Sequence, residues 1–568
     1  MIQKIREKLP EIAVIVLCMV ILGFGVSQKE GYHMDELLSF ELANAEFNPW
    51  IVPTQPEGRL AKFVHNEIDG ENFGETVQKL VDVVLDVVEN RGNSLLLSYT
   101  ADVYEEPVWI TAKQFQDYIQ VEREDDFNYL SVYFNVKDDN HPPVHFMLLH
   151  TMSSLFQGMV KPFMGCVINM VAVAISMILL MKIGKMLAIE LGMGEHGRVL
   201  GLFAALLYGT STGALASVLL IRMYCVMTCL CVALFYYHLK KWQEGTFSKK
   251  NKGLIAVTVL GFLTQYFFLF YCLVLAAVTA VLLWCYNRKK ELWIYFRFMI
   301  CAAVIGVVCF PFSIAHVFSS GRGVEALENL SSGLAGYGSR LASFFGILTD
   351  RTYGILLLSL VIVLTGVWLV RFWKKGCVWM LILPVAAYFF LAARMSPYLV
   401  DRYIMAVFPF VILIGVLVLA GVALELGRKF KLEKVLPVMC GALLVFQLVQ
   451  LVQYDGTYLY QGYAKQEQLA KEYAEYPCIC VYDGVGYYEN LLEFTQYEKT
   501  LLLTQGELAN RKDVESIQEL DKVVVLMKQN VDRQQVCEAL ENTYGLVWQQ
   551  NLLTDSVYGD SVCLFGRK

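Results

Sequence analysis

The chain has 568 residues, 56% hydrophobic and 18% charged, with a formal net charge of −6. Soluble domains carry roughly a quarter of their residues as charge, so much of this chain belongs in a non-aqueous environment. The acidic balance speaks against a nucleic-acid partner.

Lys4, Arg6 and Lys8 precede the apolar run Ile12–Val26, which lacks a small-x-small cleavage site and is read as an uncleaved first span. A spanning helix needs about 20 mostly apolar residues, because lipid offers no partner for backbone N–H and C=O groups. Ten more spans are expected near 163–187, 199–220, 223–239, 254–270, 271–286, 297–315, 352–370, 377–393, 404–424 and 435–453, eleven in all. The apolar run is nearly continuous from Leu254 to Cys285, so the division at 270 is the least defined.

Lysine and arginine in the short connections set the orientation. One set of loops holds Lys182 and Lys185, then Lys240, Lys241, Lys249 and Lys250, then Arg288, Lys289 and Lys290. It continues with Arg371, Lys374 and Lys375, then Arg428, Lys429 and Lys431. The alternate loops carry isolated arginines such as Arg222, Arg322 and Arg402. The basic set and the N-terminus are therefore expected in the cytoplasm, in a multi-pass plasma or inner-membrane protein. Counting 145–160 as a span would invert every later loop, so that stretch is read as an amphipathic helix in the outer interface. Residues 28–143 hold 8 Lys and Arg against 23 Asp and Glu, and residues 454–568 hold 10 against 18. Both acidic blocks fall on the outer side.

Beyond Tyr454 the pattern changes. Cys478–Asp483, Thr500–Thr504, Lys522–Lys528 and Ser561–Phe565 read as short strands, with helices at Glu489–Tyr497, Glu507–Leu520 and Asp532–Tyr544. Strands alternating with helices imply a small α/β domain with a mostly parallel sheet. Gly484 and Gly486 lack the rest of a dinucleotide fingerprint. The fifteen cysteines show no disulfide or metal-ligand spacing, and Cys478 and Cys480 read as same-face core residues of a strand. The expected fold is mainly α: an N-terminal tail and first span (1–27), an extracytoplasmic loop with interfacial helices (28–162), the remaining spans (163–453) and an extracytoplasmic α/β domain (454–568).

Six of the eight histidines (33, 65, 141, 145, 150 and 316) fall on the outer side. Two polar clusters there suit chemistry. In His33-Met34-Asp35-Glu36, adjacent carboxylates at a membrane surface are costly unless one binds a cation or exchanges a proton. Asp35 suits a general base and Glu36 an orienting or metal-linked partner; the structural alternative makes Asp35 a helix N-cap. In Asp138-Asp139-Asn140-His141-Pro142-Pro143, the prolines hold the preceding residues extended and present His141 for phosphate or metal, the alternative being a solvated turn. His145 and His150 are five apart on the following helix and face different directions. Arg222 in Ile221-Arg222-Met223-Tyr224, Arg394, and Arg402 in Asp401-Arg402-Tyr403 bring guanidinium groups to outer helix ends, where their fork suits phosphate. Pairing of Arg402 with Asp401 is the rival reading.

An acidic pair after the first span, a His-Pro-Pro-Val-His stretch, then Arg-Met-Tyr and Asp-Arg-Tyr at outer helix ends resemble the GT-C glycosyltransferase superfamily. The likeness is to bacterial relatives of protein O-mannosyltransferases and of lipid A aminoarabinose transferases, over about residues 1–420. The resemblance implies transfer of a sugar from a polyprenyl-phosphate carrier to a glycan, lipid or protein acceptor at the outer membrane face. It assigns Asp35 as catalytic or metal-linked carboxylate with Glu36 beside it. Arg222 and Arg402 match positions expected to meet the carrier phosphate, and Tyr224 and Tyr403 in the same motifs are taken with His141 as substrate-binding residues. It leaves a divalent cation optional, with Asp35, Glu36 and His141 as its ligands. Thr264-Gln265-Tyr266 departs from the Thr-His-Tyr of relatives. A transporter or flippase and a non-catalytic envelope scaffold are the alternatives.

Overall fold

A computed structural model describes residues 8–54, 63–90, 106–247, 251–318, 321–331, 336–510 and 515–567. Lys4, Arg6, Lys249, Lys250 and part of the expected helix 507–520 lie outside them. The chain divides into two compact units: Met1–Gln28, Asp138–His145 and Gly165–Thr457 in the first, Lys29–Lys137, Phe146–Met164 and Tyr458–Lys568 in the second.

The first unit is helical. Among the described residues, eight helices are long and apolar enough to cross a membrane: Leu9–Ser27, Pro162–Glu190, Phe268–Cys285, Lys289–Cys309, Gly354–Arg371, Gly376–Met395, Met405–Phe430 and Val435–Val452. The pair Gly194–Gly209 and Thr212–Leu219, bent by 53°, makes a ninth if it is counted as one broken span. Side chains satisfy the backbone at that break: Ser211 Oγ accepts from Ala214 N at 3.0 Å and donates to Tyr208 O at 2.7 Å, and Thr210 Oγ1 donates to Leu206 O at 2.9 Å. Small residues let helices touch through their backbones, since a Cβ on Gly184 would lie 2.7 Å from Gly201 Cα.

Against the eleven spans expected from the sequence, eight helices, or nine with the bent pair as one span, have this length and apolarity among the described residues. The run 254–285 divides at the polar Thr264-Gln265-Tyr266 into Lys252–Phe262, 11 residues and about 16 Å of rise, and Phe268–Cys285. Tyr224–Glu244 has 21 residues, with His238, Lys240 and Lys241 towards its C-terminal end. Val144–Leu155 has 12 residues, about 18 Å, too short to cross.

The second unit is built around a six-stranded sheet: β1 (Ile110–Thr111), β2 (Cys478–Tyr482), β3 (Lys499–Thr504), β4 (Lys522–Met527), β5 (Leu546–Leu553) and β6 (Ser561–Arg567). Their order is β1-β3-β2-β4-β6-β5. The central β3-β2-β4 strands are parallel, while β1, β6 and β5 join antiparallel, so the sheet is mixed rather than mostly parallel. β2 is buried along its whole length, Cys478 and Cys480 included, as a central strand covered on both faces must be. Ile479, Val481, Leu501, Leu503, Val523 and Val525 meet Val536 and Leu540 in the core. The first-loop helices belong to the same unit. β1 pairs Ile110 with Thr500, Phe115 and Phe494 rings lie 5.2 Å apart, and Tyr487 Oη donates to Ile51 O at 3.0 Å. All fifteen cysteines are free thiols.

Candidate functional site

His33, not Asp35, caps the helix Met34–Asn44. Its Nδ1 accepts from Asp35 N at 3.0 Å, and Glu36 Oε2 accepts from His33 N at 2.7 Å, a reciprocal capping box. An accepting Nδ1 carries no proton, so His33 caps as the neutral Nε2–H tautomer. The two neighbouring carboxylates then diverge. Glu36 is buried and both its oxygens take Lys29 Nζ, at 3.0 and 3.3 Å. Lys29 also donates to Tyr458 O at 2.7 Å. Asp35 keeps 20% of its side chain exposed in the first turn, where the helix dipole favours an anion, with one oxygen 3.7 Å from His33 Nδ1. Of the two carboxylates Asp35 is the one solvent reaches, and Glu36 fixes the turn.

In the first unit, Asp139 Oδ2 meets His141 Nδ1 at 2.8 Å and Arg222 Nη2 reaches His141 Nε2 at 3.5 Å. Arginine stays protonated, so Nε2 accepts and Nδ1–H donates to Asp139. Burial works to raise Asp139, but His141 and Arg222 outweigh it and hold the carboxyl below its ordinary range. The three groups form a relay ending in a buried cation, Arg222 being 6% exposed. Arg222 occupies the break between Thr212–Leu219 and Tyr224–Glu244, which Asn169 fixes by donating to Leu220 O at 2.7 Å.

The sequence-assigned tyrosines come together here. Tyr224 and Tyr403 rings meet edge to face at 5.9 Å, Phe267 lies 5.3 Å from Tyr403, and the Arg402 guanidinium sits 5.3 Å from the Tyr403 ring. Tyr266 Oη bonds His316 Nδ1 at 3.0 Å, a link that the family comparison at 264–266 did not suggest. Burial and the Asp139 charge both push the Tyr266 phenol up. His145 and His150 are buried, and loss of hydration lowers both imidazoles, His145 to about 3, so neither is charged at neutral pH. Asp401 accepts from Arg351 Nε at 3.1 Å, a partner fifty positions away with no local signal. Arg394 lies over the Tyr337 ring at 5.3 Å.

Asp35 and Glu36 belong to the second unit; His141, Arg222, Tyr224, Arg402 and Tyr403 belong to the first. Among the described residues, no group of three or more His, Cys, Asp or Glu converges as a metal site. The expected cation ligands fit poorly in this arrangement. Glu36 is committed to Lys29, and His141 has one nitrogen on Asp139 and the other facing Arg222.

No family model matches the chain, and no curated protein matches it. Solved structures similar to it include crystal structures of ArnT from Cupriavidus metallidurans. The one bound to undecaprenyl phosphate has a TM-score of 0.47 and 13% identity, covering 75% of this chain and 88% of that one. The apo state has a TM-score of 0.43 and 11% identity, covering 77% and 93%.

Proposed function

We propose that the chain is a membrane glycosyltransferase that moves a sugar from a polyprenyl-phosphate carrier to an extracytoplasmic acceptor. The observation that carries this reading is the Asp139–His141–Arg222 relay, which ends on a buried guanidinium in a helical unit rich in apolar helices. A guanidinium's planar fork suits phosphate, and a lipid-borne phosphate is an anion such a unit encounters. Arg402, with Tyr403 and Tyr224, supplies a second cation with aromatic walls for the sugar or the carrier.

In the proposed step, the acceptor hydroxyl attacks the anomeric carbon. Its proton passes to Asp35, and the glycosidic C–O bond breaks with its electrons staying on the carrier phosphate. The arginines stabilise that developing charge. A single displacement of this kind inverts the anomeric centre and needs no covalent enzyme intermediate. Glu36 serves by holding Asp35's turn through His33 and Lys29. The basic-loop parity puts the N-terminus inside, and the first loop and the tail outside.

The test is transfer by the purified full chain from polyprenyl-phosphate sugars, read as release of polyprenyl phosphate. Asp35→Asn keeps the size of the side chain and His33's cap, and should lower transfer by about 10²–10⁴-fold with folding intact. Near-normal transfer by the folded variant would remove Asp35 from the mechanism.

A further inference from the structure

Arg351 ends the helix Tyr337–Arg351 and is 7% exposed, yet no sequence motif contains it. Its guanidinium is used on every side. Nε donates to Asp401 Oδ2 at 3.1 Å, Nη1 and Nη2 donate to the two oxygens of Asp455 at 3.3 Å each, and Nη2 also donates to Thr457 Oγ1 at 3.0 Å. The backbone at this point is itself fixed. Thr212 Oγ1 donates to Asp350 O at 2.7 Å, and a Cβ on Gly213 would fall 2.7 Å from Arg351 O. The arginine thus stands on a rigid support and grips two acidic segments.

One of those segments matters to the site. Asp401 opens the single 3₁₀ turn Asp401–Tyr403, closed by Ile404 N to Asp401 O at 2.9 Å. So short a turn has poor internal hydrogen bonds and does not hold its own orientation. Asp401 is buried, and the next two residues are Arg402 and Tyr403. Resting on the reading of Arg402 as a carrier-phosphate contact, we propose that Arg351 is the positioning residue of this site: through Asp401 it fixes the turn that presents Arg402 to the phosphate. Lysine cannot replace it, because a point charge cannot serve Asp401 and Asp455 together in the plane of one fork.

The experiment is titration of undecaprenyl phosphate into the purified full chain, with melting temperature recorded for each variant. Arg402→Ala should weaken binding by about tenfold to a hundredfold. Arg351→Met and Asp401→Asn should each weaken it by about tenfold or more, Arg351→Lys recovering only part. Asp455→Asn, which touches the same guanidinium but not the turn, should stay within about threefold of wild type. Because Arg351 acts through Arg402, the double variant Arg351→Met/Arg402→Ala should bind within about twofold of Arg402→Ala alone. Should Arg351→Met fail to fold, Asp401→Asn with Arg402→Ala completes the same cycle. Wild-type binding by Asp401→Asn while Arg402→Ala is weak would overturn the positioning role and leave the phosphate contact standing. Losses that multiply in the double variant would overturn it too. Wild-type binding by Arg402→Ala would bring down the phosphate contact, and the positioning role with it.

Discussion

Raising the pH from about 5 to about 8 should carry Glu493 through its titration and weaken the second unit. This carboxyl is buried, with Tyr463 Oη donating to Oε2 at 2.6 Å, and Asn490 Nδ2 and Gln466 Nε2 donating to Oε1 at 3.1 and 3.4 Å. Behind Asn490, Lys528 Nζ donates to Glu489, Asn490 and Asp560 at 2.7, 2.9 and 2.8 Å. Burial dominates and pushes Glu493 from 4.5 up to about 7, against the hydrogen bonds and Lys528, which favour the ionised form. A folded-state pKa above the unfolded one means stability that is complete below about 4.5 and lost as pH rises through about 7. At 1.36 kcal/mol per unit, that loss is about 3 kcal/mol. Lys528 is raised from 10.5, so its contribution is lost only in strong alkali and adds no slope in this window. Glu493→Gln keeps the shape and removes the titration. Denaturant unfolding of the full chain in one detergent, at steps across this range, should show the variant gaining about 3 kcal/mol on wild type between the acid and alkaline ends. Parallel pH profiles for the two proteins would refute the burial argument.

Lys29→Met strands Glu36 in the core without its counter-charge, and should cost about 3–5 kcal/mol of stability, most of it recovered in Lys29→Met/Glu36→Leu; equal melting losses in both would refute the pairing. Arg222→Ala should weaken polyprenyl-phosphate binding by about 1.5–3 kcal/mol, with lysine recovering only part because the fork is lost. Unchanged affinity would take Arg222 out of the site. Cysteines placed at Glu124 and Glu519 should react with an impermeant thiol reagent on intact cells, above the unsubstituted background, and one at Glu244 should not. A silent Glu519 position would reverse the orientation of the tail.

Much of this arrangement was readable from apolar runs and β-branched clusters. β2, β3 and β4 are apolar on both faces, with Cys478 and Cys480 opposite Ile479 and Val481 in β2, which is what a central parallel strand requires. β5 escaped notice because Leu546–Leu553 is a largely exposed strand with Gln549, Gln550 and Asn551 in its middle and Trp548 53% exposed. The break at Thr264-Gln265-Tyr266 was visible as three polar residues, but composition alone does not say whether lipid-facing helix tolerates them. The His33 cap was hidden by Asp35, a far commoner cap residue, sitting two positions later. Lys29 and Glu36 are seven apart, and Arg351 and Asp401 are fifty apart, so only the folded chain shows which charge answers which.

The union of first loop and tail has a consequence for how the protein is made. Tyr487 reaches Ile51 across 436 positions, and β1 has no partner until Lys499 and Thr500 arrive. At a synthesis rate of about 5–20 residues per second, the first loop waits roughly 20–90 s for the strands that complete it. Through that interval Phe115 and Ile51, both buried at the end, lie uncovered. Early translation therefore leaves an unfinished acidic segment, and a chain stopped before the tail would retain its spans while leaving the loop that carries Asp35 without a core.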